Sequence, residues 1–370
     1  MAEQAAQTNR WRNIRPHVYS IVWMLPFLAF ALFPFYWGVI TSLKADANLY
    51  DLSSNPFWFS KKGPDGKPYH KDIIIPASLS AGPIRWQIQP GAHTTRSDSV
   101  ANPEPIAFVG DQPIVSPVDG TLREIDVKEG QTAHPNDVIG VIDVQSPSLT
   151  HYRYLQSTPF YRWLRVSLTV GLAVVLITIL LSVPAAYGLA RLNFRGNRTL
   201  GVAIFLTYLI PPTILFIPFS RFVGVLKLED TPWALILSYP TFTVPFCTWL
   251  LMGFFRSVPK ELEERAMLDG ATRLQTLWKV VIPVVLPGIL TAAIFAFTLS
   301  FQEYVYGLTF ISSSFNRTLP VGITVDMVRG DVYFWGPLMA AAVLGAVPVV
   351  IVYALSLDYF VSGMTTGAVK

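Results

Sequence analysis

Pro259-Lys260-Glu261-Leu262-Glu263-Glu264-Arg265-Ala266-Met267-Leu268-Asp269-Gly270-Ala271-Thr272, closed downstream by Val280-Val281-Ile282-Pro283, is a charged run in a chain otherwise rich in long apolar segments. Lys260 to Met267 predicts a helix with Leu262 and Ala266 on one face and Glu261, Glu264 and Arg265 turned elsewhere. Gly270 suits a helix end where the backbone turns left-handed or tight. A second short helix is expected over Leu274 to Val281, with Pro283 marking its end and the start of an apolar span. Such a polar helix–turn–helix reads either as a handle gripped from outside the membrane or as a plain amphipathic linker.

The surrounding chain is built for lipid. Of its 370 residues 52% are hydrophobic and only 14% charged, and the mean hydropathy is +0.42. A soluble domain carries roughly a quarter charged residues, so a soluble globular class is excluded. Crossing the roughly 30 Å hydrocarbon core takes about 20 residues. About six stretches qualify, near Val18–Leu43, Leu164–Leu189, Leu200–Val223, Trp233–Phe255, Val284–Ile311 and Trp335–Phe360. The first contains Pro26 and Pro34 and lacks a small-residue cleavage site, so it reads as a retained anchor.

Basic residues orient these spans. With the N-terminus inside, the inner segments hold Arg10, Arg12, Arg15, Arg191, Arg195, Arg198, Arg256, Lys260, Arg265, Arg273 and Lys279. The outer short loops hold Lys227, Arg317 and Arg329. The bias places both termini and the Glu264 segment in the cytoplasm. The net charge of +4 and pI near 9.0 are then loop charge, not a nucleic-acid surface.

Between the first two spans, residues 44–159 are Pro-rich and hold no apolar run able to cross a bilayer, which puts them outside the membrane. The part through Lys61-Lys62-Gly63-Pro64-Asp65-Gly66-Lys67-Pro68 reads as turns and short strands. Pro113 to Val127 alternates apolar and polar residues around Asp119-Gly120. Lys128-Glu129-Gly130-Gln131 then turns into Asp137 to Asp143. This pattern predicts β-hairpins over 105–145, the alternative being an irregular loop. The stretch resembles the small β-sandwich of biotinyl/lipoyl-carrier and membrane-adaptor domains. Val144-Gln145-Ser146 offers no attachment lysine, so a structural module is expected.

The charged run resembles the coupling loop of bacterial ABC-importer permeases: a Glu, two usually small positions, and a Gly six residues after the Glu. Further stretches are similar to the carbohydrate-uptake members of that family. They include Ala186-Tyr187-Gly188-Leu189-Ala190-Arg191, Ile210-Pro211-Pro212 with Ile217-Pro218, Val244-Pro245-Phe246, and Phe254 to Glu264. The tail Asp358 to Lys370 is similar to that of the second permease subunit of the maltose type. The likeness covers the chain except the insert. It implies an all-α membrane protein of about six transmembrane helices with a cytoplasmic coupling helix, plus the small β-rich extracytoplasmic insert between helices 1 and 2. The organisation is then 1–43 (tail and first span), 44–159 (insert), 160–360 (permease core with the coupling loop 259–283) and 361–370 (cytoplasmic tail).

By that resemblance Glu264, Arg265, Ala266, Asp269, Gly270 and Pro283 belong to the ATPase-coupling loop, with Arg265 standing where the family usually has alanine. Gly367, Ala368, Val369 and Lys370 would reach between two ATPase subunits, unless they are a frayed end. The implied partners are a second homologous permease subunit, an ATPase dimer that holds ATP and Mg, an extracytoplasmic sugar-binding protein and membrane lipid, in a bacterial inner membrane. The transported class is a di- or oligosaccharide of the maltose or α-glucoside kind, with a polyol or glycerol phosphate importer as the alternative. A membrane adaptor fits less well, because adaptors carry one span and long heptad helices.

Gln302, Glu303 and Tyr304 stand apart. A carboxylate at membrane depth is costly and usually faces a bundle interior or a wet cavity. Here the neighbouring Tyr304 and Tyr306 suit a sugar path, since aromatic faces stack on pyranose rings. The other reading has Glu303 at the outer interface or bonded to another helix. No catalytic pattern appears. Gly63-Pro64-Asp65-Gly66-Lys67 is too short for a phosphate loop, so no cofactor is expected on this chain. The histidines His17, His70, His93, His134 and His151 lack metal-ligand spacing, and the single Cys247 excludes a disulfide or a cysteine cluster.

Overall fold

The computed structural model describes residues 2–45, 49, 55, 57–59, 69–94, 104–118, 120–144, 147–192, 194–329 and 332–366, with side chains at all of these except 2–22, 329, 332 and 358–366. The chain divides into two compact units. One comprises residues 1–157 with 333–344; the other comprises 158–332 with 345–370.

In the first unit, helix α1 (Ala2–Leu43) is apolar from Trp23 to Leu43 and leaves most of that stretch exposed, as a lipid-facing span would. Eight strands follow among the described residues: β1 (His70–Ile74), β2 (Gly82–Trp86), β3 (His93–Thr94), β4 (Pro105–Val109), β5 (Gln112–Val115), β6 (Gly120–Ile125), β7 (Thr132–Ala133) and β8 (Val138–Val144). They form two four-stranded sheets, ordered β1-β8-β6-β3 and β5-β4-β2-β7. Ile73, Ile84, Ile106, Ile114, Leu122, Ile139 and Ile142 are buried in one cluster drawn from both sheets. The strands thus begin well before residue 105, at His70. The early strands are short and interrupted by Pro76 and Pro83, so their alternation is weak in the sequence. Helix α2 (Thr150–Ser157) returns to the end of α1. Ser148 N–H donates to the Leu43 carbonyl at 2.8 Å, and a His151 ring nitrogen lies 2.8 Å from the Lys44 carbonyl.

The second unit begins with α3 (Phe160–Arg191), followed by α4 (Asn197–Tyr208) and α5 (Pro212–Val225). The expected third span, Leu200–Val223, is this α4–α5 pair, bent by 92° at its break. Pro211 and Pro212 explain the break: neither has an N–H to donate, and a residue before proline is pushed out of the helical region. Next come α6 (Pro232–Ser238), α7 (Pro240–Ser257), the polar helix α8 (Lys260–Leu268) and the long α9 (Arg273–Phe301). Helices α10 (Val305–Phe310) and α11 (Leu319–Met327) follow, and α12 (Trp335–Thr366) belongs to the first unit up to Leu344 and to the second from Gly345. Among the described residues, five helices are long and apolar enough to cross a membrane, or six if the bent pair is one span.

The core of this unit is α3 against α7 and α9. Thr178 and Thr243 share a hydrogen bond at 2.7 Å between α3 and α7, satisfying two hydroxyls that lipid could not. Gly288 of α9 lies under the Phe254 ring, where a Cβ would fall 2.4 Å from the ring, so only glycine admits that contact. Two expectations change here. The separate helix over 274–281 does not exist: Arg273 to Phe301 is continuous, with a π turn at Leu277–Val281. That wider turn (Ile282 N–H to the Leu277 carbonyl) precedes Pro283 and lets the helix pass a residue that cannot donate. At the other end the span stops at Phe301 rather than Ile311, and α10 is a separate short helix.

Candidate functional site

The corner of the polar segment is fixed by local chemistry. Helix α8 ends in a glycine-capped turn: Gly270 has φ +89°, Gly270 N–H donates to the Met267 carbonyl at 3.1 Å, and Ala271 N–H to the Ala266 carbonyl at 3.0 Å. These paired bonds satisfy carbonyls that a helix end leaves open. Two residues on, Thr272 caps α9. Its Oγ1 accepts from Gln275 N–H at 3.3 Å, while Gln275 Oε1 accepts from Thr272 N–H at 2.9 Å. A glycine C-cap followed at once by a reciprocal capping box makes a stiff corner, not a loose linker.

Helix α8 has two unlike faces. Glu261, Leu262, Glu264, Arg265, Leu268 and Asp269 are exposed, and Ala266 and Met267 are half-buried. Leu268 is 86% exposed, Leu274 65% and Trp278 62%, so apolar groups stand outward among charges. Glu263 alone on the helix is buried. Its carboxylate lies 2.8 Å from Arg191 Nε at the end of α3, and the two side chains are 9% and 5% exposed. Tyr187 Oη donates to the other carboxylate oxygen at 3.1 Å. Arg191 Nη2 also donates to the Val258 carbonyl, where α7 ends. Sequence reasoning singled out Glu264 and passed over Glu263, Leu268, Leu274 and Trp278. The available signal was the pairing of one acidic residue in the segment with Arg191 at the end of an apolar span.

Gln302, Glu303 and Tyr304 occupy the break between α9 and α10. Glu303 accepts from Tyr239 Oη at 2.8 Å, from Tyr306 N–H at 2.9 Å and from Gly307 N–H at 3.2 Å. It therefore caps α10 and ties it to α6–α7. Tyr306 is fully buried among Phe219, Tyr239, Phe242 and Phe310, so its ring offers no face to a sugar. Gln302 is exposed and Tyr304 half-buried. Nearby in the same unit, Asp230 (φ +58°) accepts from Ser312 N–H, Ser313 N–H and Ser313 Oγ at 3.1, 2.8 and 2.9 Å. These bonds, the Ser313 backbone N–H first, hold its carboxyl below the usual carboxylate value.

A cleft of about 670 Å³ opens at the foot of α7 and α9, lined by Trp249, Phe254, Pro259, Val284 and Gly288 with Arg256 as its charged group. It lies away from Glu303. The sequence-predicted tail residues Gly367, Ala368, Val369 and Lys370 fall outside the described residues. Among the described residues, no group of three or more His, Cys, Asp or Glu side chains is placed to hold a metal ion.

Residues 175–366 match the family model described as the binding-protein-dependent transport system inner membrane component. The chain is 39% identical over 227 residues to the sulfoquinovosyl glycerol transport system permease protein SmoH of Agrobacterium fabrum, covering 61% of this chain and 79% of that one. It is 34% identical over 227 residues to the trehalose/maltose transport system permease protein MalG of Thermococcus litoralis, covering 60% and 81%. In fold it is similar to a chain of a bacterial ABC transporter involved in the import of the acidic polysaccharide alginate. That match has a TM-score of 0.60 and 19% identity, over 94% of this chain and 98% of the other. A share that large includes most of the insert.

Proposed function

The chain belongs to the binding-protein-dependent transport system inner membrane components, and on that premise we propose that it is one permease subunit of an ATP-driven sugar importer, of the maltose-type second-subunit kind. Two relatives named for a glycosyl glycerol and for trehalose and maltose support a glycoside or small oligosaccharide as cargo. The chain is a multi-pass inner membrane protein. In the proposal its termini and α8 lie in the cytoplasm and residues 44–159 outside.

The observation that carries the coupling role is α8 itself: a short helix closed by a glycine-capped corner, buried through Glu263 and offering Leu262, Glu264, Arg265 and Leu268 outward. Apolar groups exposed beside charges on a segment outside the spans suit a protein partner. The partner proposed is an ATPase dimer that itself binds ATP and Mg, with this chain binding neither. ATP favours one state of the assembly through its differential affinity for the two. Closure of the ATPases displaces Glu264, Arg265, Ala266, Asp269 and Gly270, and α9 carries the displacement past Pro283 into the bundle. Gly367 to Lys370 reach toward the ATPases. A second permease completes the path, with Gln302 and Tyr304 at its border and Glu303 holding their loop, and a sugar-binding protein delivers cargo outside.

The test replaces Glu264 and Gly270 together in the complete transporter. Uptake of labelled maltose, trehalose or sulfoquinovosyl glycerol and ATPase coupling are expected to vanish while membrane insertion persists. Full transport by that double variant would sink the coupling role. Transport by the parental complex of none of these glycosides, but of a polyol or glycerol phosphate, would sink the sugar assignment.

A further inference from the structure

Most charged residues of the polar segment face water, yet Glu263 is sealed against α3. We propose that the Arg191–Glu263 pair is the joint through which a displacement of α8 reaches the α3 span, making both of them positioning residues for transport. The inference rests on the coupling role assigned to α8.

Three geometric facts carry it. First, Arg191 holds two elements at once: Glu263 of α8 at 2.8 Å through Nε, and the Val258 carbonyl at the end of α7 through Nη2. Second, Tyr187, one turn earlier on α3, donates to the same carboxylate at 3.1 Å, so Glu263 is gripped from two successive turns of one span. The Tyr187 ring also packs edge-on against Phe255 of α7, 5.8 Å between centroids, which fixes its position. Third, the electrostatics favour this placement: Arg191 sits at the C-terminal end of α3 and Glu263 in the first turn of α8, each complementing the dipole of its own helix.

Stability alone does not account for the pair. Removing two charges from water costs about as much as their attraction returns, and well-packed apolar side chains are often as stable there. What a buried ion pair supplies and an apolar contact does not is a fixed register, because the attraction is directional and a slip strands both charges. An apolar seam would let α8 slide or roll when pushed. The ion pair makes α8, the end of α7 and the end of α3 move together.

The experiment uses the full chain assembled with its ATPase and second permease in lipid nanodiscs. Nitroxide labels are placed at Glu261, exposed on α8 and outside the residues assigned to the ATPase, and at Leu176 on the exposed side of α3. Their separation is measured by pulsed electron resonance without nucleotide and with ATP and Mg. The expected parental result is a narrow distribution that is the same in both states. Glu263→Ala should broaden it and shift it on nucleotide addition. Because that variant leaves Arg191 buried and unpaired, it is accompanied by Arg191→Met/Glu263→Leu, which removes both charges and preserves packing. This double variant should assemble at the parental level yet show the same nucleotide-dependent shift. It should also lose about tenfold in the coupling of nucleotide state to opening, within the 5–150-fold range usual for linked sites. A parental-like narrow distribution in the double variant overturns the proposal, since packing alone would then fix α8. Co-purification of the ATPase with the parental chain separates the two ideas. If the ATPase does not co-purify, the coupling role falls and the joint falls with it. If it binds and the variants do not shift, only the joint falls.

Discussion

Glu263 and Glu264 are neighbours on one helix turn and carry opposite expectations. Glu263→Ala leaves the Arg191 guanidinium buried without its partner, which typically costs about 3–5 kcal/mol. Glu264 is exposed, so Glu264→Ala should change stability by less than about 0.5 kcal/mol. Thermal unfolding of both variants in detergent checks this, and equal melting points would contradict it. The roles separate because a stretch of alternating acids does not say which one faces inward. The sequence made Glu264 legible through its spacing to Gly270. Glu263 needed the position of Arg191, some seventy residues earlier, to be known in space. Asp230 gives a second residue-level expectation. Its carboxyl is held below the usual value by the Ser312 and Ser313 donors. The group therefore contributes fully above about pH 4 and loses its contribution as pH falls through its lowered value. Between pH 5 and 8 Asp230 should therefore add no pH dependence to stability, with a loss appearing only under acid. Asp230→Asn should lack that acid-side component. A loss on the alkaline side that depends on Asp230 would refute it.

At the scale of elements, the corner between α8 and α9 depends on one backbone conformation. Gly270 has φ +89° and no atom within 4 Å of where a Cβ would stand, so the cost of a side chain there is conformational and not steric crowding. Gly270→Ala should cost about 1 kcal/mol, or roughly fivefold more frequent opening of the turn. Gly270→Asn should cost less, because asparagine tolerates the left-handed region. Hydrogen exchange at Ala271 N–H, which closes this turn, reports the opening. Equal exchange rates in all three proteins would show that the turn does not require glycine. This glycine was readable in the sequence, as was the helix before it. The helix after it was not, because a proline read locally looks like a boundary. Pro283 instead sits within a continuous helix that widens at Leu277–Val281. The break at Gln302 was missed for the converse reason: the apolar run continues to Ile311, but Glu303 captures the Tyr306 and Gly307 N–H groups and starts a new helix.

For the whole molecule, the sheets say where the chain can be cut. Strands β1 and β8 are antiparallel neighbours, with His70 opposite Asp143, and Val144 N–H donates to the Tyr69 carbonyl at 2.8 Å. The chain thus enters and leaves the sandwich at adjacent points. Its apolar cluster is drawn from residues 73–142. The two clusters that organise the spans use residues 170–311 and none of the sandwich. The alternation over 105–145 made the later hairpins legible, but a two-sheet core is a long-range fact: β2 pairs with both β4 and β7, and β1 with β8. Replacing residues 69–144 by a short Gly-Ser linker should therefore leave insertion, detergent stability and ATPase co-purification at parental levels. The excised segment, expressed alone, should unfold cooperatively, since its core is complete within itself. Size-exclusion elution and circular dichroism of both products decide the matter. Aggregation of the shortened chain would show that the spans need the sandwich to fold. Loss of binding-protein affinity in a shortened chain that still folds would instead place the sandwich in cargo delivery, a role that its separate core leaves open to it.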